Sequence, residues 1–239
     1  VNDLGTARYG LAGVGTQTAA LVFGGSPKTA NTESWNGSNW TEVNNLGTAR
    51  YGLTGAGTQT AALGFGGYQG WNHPSPQYYP NTESWNGTNW TSVNSLNTGR
   101  QKLAGAGENN TAALAFGGGA PSNTAITESW NGTSWTEVND LNTARRNIGG
   151  TGTSTAALAF GGGPFPGASP PPKGETESWN GTSWTEVADL NTGRHGHGGT
   201  GDTNTAALAF GGYDPSGPPY SMANTEEWSG GLGTVTFDA

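Results

Sequence analysis

The segment "RHGHGG" at 194–199 sets His195 and His197 two residues apart, on one face of a strand. A His-x-His pair can hold a metal ion, but no third ligand stands out in the sequence. Elsewhere in the chain the equivalent positions are Tyr9 and Leu11, Tyr51 and Leu53, Gln101 and Leu103, and Arg146 and Ile148. Both histidines therefore replace packing residues, and neither a metal nor a cofactor is expected. There is no cysteine, which excludes disulfides, thiolate metal sites and cysteine nucleophiles. Asp202, Asp214 and Glu175 are acids outside the repeated pattern, and a carboxylate pair could hydrolyse a glycoside. Nothing converges on them, so no catalytic residue is assigned.

Five arginines recur at one place in the pattern: Arg8, Arg50, Arg100, Arg145 and Arg194. They could bind an anion. Five glutamates recur as well: Glu33, Glu83, Glu128, Glu177 and Glu226. One Arg and one Glu per unit, in a chain only 11% charged, reads better as a repeated ion pair that ties the scaffold together.

The densest group of recognition-type side chains is "YQGWNHPSPQYYP" at 68–80. It brings together Tyr68, Trp71, Asn72, His73, Gln77, Tyr78 and Tyr79. Flat aromatic faces stack on sugar rings, while amide and imidazole groups hydrogen-bond hydroxyls. The same residues suit a protein hot spot. They could instead cover the base of their own loop. Phe165, Tyr213 and Tyr220 occupy comparable segments further on.

These residues must be positioned by a repeat. The phrase "TESWNGTSWTEV" at 176–187 returns nearly unchanged at 32–43, 82–93 and 127–138, and in degraded form from Thr225. "FGG" recurs at Phe23, Phe65, Phe116, Phe160 and Phe210, and "L-x-T-A/G-R" precedes each unit's first strand. The five units run approximately 1–45, 46–95, 96–140, 141–189 and 190–239, forming a single domain. Each reads as four short strands: a, as in "YGLAGVGT" at 9–16; b, "TAALVFGG" at 18–25; c, "TESW"; and d, "NWTEV". Asn-Gly is a strong hairpin signal. It favours a two-residue turn at Asn36-Gly37, with Glu33 opposite Trp40, because a four-residue loop would set Glu33 opposite Glu42. A three-residue bulged loop is also open.

Four strands of this length cannot bury both faces alone, whereas five such units packed radially can. The double Gly ending strand b, the aromatic in strand c and the Trp in strand d resemble kelch repeats, as in the central domain of galactose oxidase. The resemblance implies an all-β, kelch-like five-bladed β-propeller of four-stranded antiparallel blades. The closer spacing of the two aromatics departs from kelch at the c–d turn. The copper chemistry of galactose oxidase does not carry over: its Tyr–Cys crosslink needs a cysteine, and the three histidines here lie in two units. The phrase is also similar to propeller arrays of phage and marine microbial structural proteins. That likeness implies a virion or an extracellular, cell-surface location. Residues 1–4 match the end of strand d, as residues 235–239 do. Both termini are thus expected at one seam, with "TVTF" as the last d strand.

The units differ in the b–c segments 26–31, 68–81, 119–126, 163–175 and 213–224, which hold all 13 prolines. In an up-and-down blade these lie at one end. Variable loops on a repeated frame are the usual arrangement for binding. The expected function is a non-enzymatic structural or adhesion module that contacts a glycan, a protein or other virion proteins. A polysaccharide hydrolase or lyase using the same loops is the alternative. A net charge of −8 disfavours nucleic acid, and no apolar stretch is long enough for membrane insertion. Asn36, Asn86, Asn131 and Asn180 stand in Asn-Gly-Ser/Thr, a glycosylation pattern that turn chemistry also explains. With Val1 first and no signal peptide visible, an excised or processed domain is expected.

Overall fold

A computed structural model describes residues 2–70, 77–163, 173–214, 221–230 and 234–237. All regular structure among them is β-strand. The first sheet comprises Ala12–Gly15, Ala20–Phe23, Thr32–Trp35 and Trp40–Val43. The second comprises Thr54–Gly57, Ala62–Phe65, Thr82–Trp85 and Trp90–Val93. The third has Ala104–Asn109, Ala112–Phe116, Thr127–Trp130 and Trp135–Val138. The fourth has Gly149–Gly152, Ala157–Phe160, Thr176–Trp179 and Trp184–Val187, and the fifth Gly198–Thr203, Ala206–Phe210, Thr225–Ser229 and Thr234–Phe237. Each is antiparallel with its strands a, b, c and d in chain order. This is the five-bladed β-propeller that the repeat predicts, and "TVTF" is a d strand as expected.

The chain divides into two compact units, with the boundary passing through the third sheet. The first holds Val1–Lys102, Gly107–Ala113 and Glu128–Thr136; the second holds Leu103–Ala106, Leu114–Thr127 and Glu137–Ala239.

Two expectations are corrected. Strand a starts at Ala12, not at residue 9, because Gly10 takes φ +61° and breaks the extended chain. The same left-handed break falls at Gly52, Lys102, Asn147 and Gly196 in the other units. The c–d register is also not the expected one. Trp35 lies opposite Trp40, and Glu33 opposite Glu42, as it does for Glu177 and Glu186. Gly37 has the positive φ and Asn36 does not. Asn36 instead turns its side chain inward: Oδ1 accepts from the backbone of Ser38 and Asn39 at 3.0 and 2.9 Å. That Asx cap closes the four-residue loop. The like-charge objection fails because Glu33 is neutralised by Arg8.

Tryptophan packing explains the repeated words. Within the first unit, Phe23 lies under Trp90 and Phe65 under Trp135, with ring centroids 4.8 and 4.9 Å apart. Within the second, Phe116 lies under Trp184 at 4.9 Å. In each case the indole Nε1 donates to a strand-c threonine: Trp90 to Thr32, Trp135 to Thr82 and Trp184 to Thr127, at 2.9–3.0 Å. The ring thus buries its area and satisfies its one donor. The strand-c tryptophans donate into the a–b turns, Trp35 to the Gln17 carbonyl and Trp85 to that of Gln59.

Candidate functional site

The b–c loops are held at both ends by groups the sequence repeats. The first Gly of each "FGG" donates its N–H to the carbonyl of the residue just before strand c. The pairs are Gly24 with Asn31 and Gly66 with Asn81 in the first unit. Gly117 pairs with Ile126, Gly161 with Glu175 and Gly211 with Asn224 in the second. The distances are 3.0–3.3 Å. This bond closes the loop base whatever the length above it.

The recurrent arginine braces that base. Arg50 Nη1 donates to the Asn81 carbonyl at 2.6 Å, and Nη2 reaches Gly64 O and Glu83. Arg145 makes the same contacts to Glu175 O, Ala159 O and Glu177. Arg194 donates to Asn224 O and pairs with Glu226. Arg8 pairs with Glu33 at 2.5 Å, and Arg100 pairs with Glu128. The glutamate's second oxygen accepts a backbone N–H from the preceding turn, at Gly5, Gly47, Asn97, Asn142 and Asn191. All five arginine side chains are fully buried. Burial brings Arg50 down to about 10, against the pull of Glu83, and lowers Arg145 in the same way. The arginines are thus internal braces with paired charge. The ion-pair expectation holds at all five positions, and the anion ring does not form.

The expected ligand-binding residues separate. Tyr68 has no exposed surface. It pairs through its backbone with Tyr51 and Tyr78 and packs between their rings, 5.6 and 5.3 Å away. It is therefore removed from the binding set, because its place directly after "FGG" turns it down onto the strand-a side of the blade. Burial, with neighbouring phenols, raises Tyr51 to about 12 and shifts Tyr68 upward too. Tyr78 and Tyr79 are half-buried and Gln77 is exposed. Tyr213 is 40% exposed, its ring 5.3 Å from that of His195. Trp71, Asn72, His73, Phe165 and Tyr220 lie outside the described residues.

His195 and His197 do not converge. The His195 ring lies against Tyr213 and the His197 ring against Phe160, and Gly196 between them is left-handed. No group of three metal-ligating side chains occurs among the described residues. His197 takes the place of Leu53 and Ile148, beneath the first Gly of "FGG": a Cβ on Gly161 would meet its ring, as one on Gly117 would meet Ile148. Burial above all, then the Arg194 charge and His195, lowers it to about 3, although contact with the Phe160 backbone acts the other way.

Fold and loops together define a repeat-built β-propeller in which an almost constant frame carries loops of unequal length. No protein-family model matches the chain, and no curated protein matches it.

Proposed function

We propose that this kelch-like propeller is a non-enzymatic structural or adhesion module of a phage particle or microbial surface. It binds a glycan or protein through its b–c loops, chiefly the loop at 68–81. One observation carries this reading. Every loop is closed at its base by the same backbone bond, and the loops at 68–81, 163–175 and 213–224 also by an Arg brace, so sequence above the base varies at little cost to the frame. All 13 prolines are spent there, which limits the entropy lost on binding.

The test is a loop exchange. Residues 69–77 are replaced by a short Gly-Ser linker, leaving the buried Tyr68, its partner Tyr78 and the loop base at Asn81 in place, and binding is read on a glycan array and on a panel of microbial cells. Melting should stay within a few degrees of the parent while binding is lost. Trp71→Ala should weaken binding about 30-fold, the factor for truncating an aromatic anchor. Unchanged binding after the loop exchange would sink the proposal.

A further inference from the structure

We infer that a groove in the second unit, outside the b–c loops, binds a neutral sugar ring. It lies where the end of the third sheet's strand d meets the c–d turn of the fourth sheet. Glu137, Val138, Asn139, Trp179, Gly181 and Thr182 line it, and all six belong to the second unit. The groove is open and holds about 490 Å³, inside the range of about 300–1,000 Å³ for small-molecule sites.

Its polar groups suit hydroxyls. Asn139 Nδ2 donates to the Thr182 carbonyl at 2.8 Å, which orients the amide and leaves Oδ1 unbonded among the described residues. Glu137 is exposed and has no hydrogen bond or ion pair among the described residues. Its carboxylate is thus an acceptor with two oxygens, able to take two neighbouring hydroxyls at once. The Thr182 hydroxyl can donate or accept. Val138 and Trp179 supply the apolar part of the lining. A pyranose has the same division, with C–H faces and a rim of hydroxyls. The carboxylate repels phosphates, sulfates and uronates, so the sugar is a neutral one. No cluster of metal-ligating side chains accompanies Glu137 among the described residues.

The other joints between a strand d and the next c–d turn act as internal comparisons. Asn44 makes the same bond to the Thr88 carbonyl and Asn94 to that of Thr133, at 3.0 and 2.9 Å. Beside Asn44 the carboxylate is present as Glu42, whereas Ser92 stands beside Asn94. At the fourth joint Glu186 is present, but Ala188 replaces the amide. A site that needs both groups therefore binds at the joints of Asn44 and Asn139, and not at those of Asn94 and Ala188.

The experiment is NMR of the whole chain, reading the Asn side-chain amides and Gly181. The methyl glycosides of glucose, galactose, mannose and N-acetylglucosamine are each added to tens of millimolar. At least one should shift Asn44, Asn139 and Gly181 saturably, with Kd on the order of 1 mM, and leave Asn94 in place. Glu137→Ala should weaken binding at Asn139 by about tenfold or more, the loss expected for a charged hydrogen-bond partner, while Asn44 keeps its response. Ser92→Glu should create a response at Asn94, and the fold accepts it because three other sheets carry Glu at this place. The chain with residues 69–77 replaced should respond as the parent does, which separates this site from the loop reading. No saturable shift with any of the four glycosides would overturn the inference. So would a response at Asn139 that survives Glu137→Ala, one at Asn94 in the parent equal to that at Asn139, or one that disappears with the loop.

Discussion

His197→Leu should remove a specific part of the protein's sensitivity to mild acid. The ring sits where the other four units carry Leu11, Leu53, Leu103 and Ile148, and burial above all lowers it from 6.5 to about 3. The sign follows from linkage. The folded protein keeps His197 neutral, while the unfolded chain protonates it below about 6.5, so acid favours unfolding. Nothing is lost above pH 7. By pH 5 the loss is about 2 kcal/mol, and near pH 3 it approaches about 4–5 kcal/mol. For a chain of this size, the pH 5 figure corresponds to about 4–8 °C in Tm. Melts of parent and variant at pH 7, 6 and 5 isolate the effect, because the carboxylates titrate alike in both. The parent should lose about 4–8 °C more than the variant between pH 7 and 5. Two curves that fall in parallel would show that His197 is solvated or protonated in the fold, and the packing assignment would be wrong.

Three further outcomes follow from the frame. Glu128→Gln removes the carboxylate that pairs with the buried Arg100 guanidinium and should cost about 3–5 kcal/mol in urea melts; parent-like stability would show the pair to be solvated. Gly117→Ala meets both a φ of +63° and a Cβ site 2.6 Å from Ile148 Cδ1 and 2.8 Å from the Arg145 carbonyl. It should destabilise by about 2 kcal/mol or more, and a neutral result would mean that the "FGG" bend is not fixed. Thr82→Val strands the Trp135 Nε1–H at a cost of about 1–3 kcal/mol. Thr82→Ser should recover most of it, and a Val variant as stable as the parent would remove that hydrogen bond from the account.

The strongly periodic residues were legible from sequence. Trp35 and its copies mark strand c, "FGG" marks the end of strand b, and the Arg and Glu that recur together do pair. Positions fixed by backbone conformation were not legible. Lys102 and Asn147 occupy left-handed sites that Gly fills in three units, so composition hides a constraint that geometry imposes. Asn36 and Gly37 signal a turn but not its centre, which depends on where the Asn side chain points. Tyr68 reads as a loop aromatic, yet the chain direction after Gly67 sends it inward.

The bond from "FGG" to the residue before strand c also bears on inheritance. It makes each loop a cassette with standard ends, and the flanking words are nearly identical from copy to copy. Conversion of one copy by another would replace a whole loop without shifting a strand. A gene of this form can exchange whole loop segments by conversion between copies, where a protein with unique strands would have to wait for point substitutions.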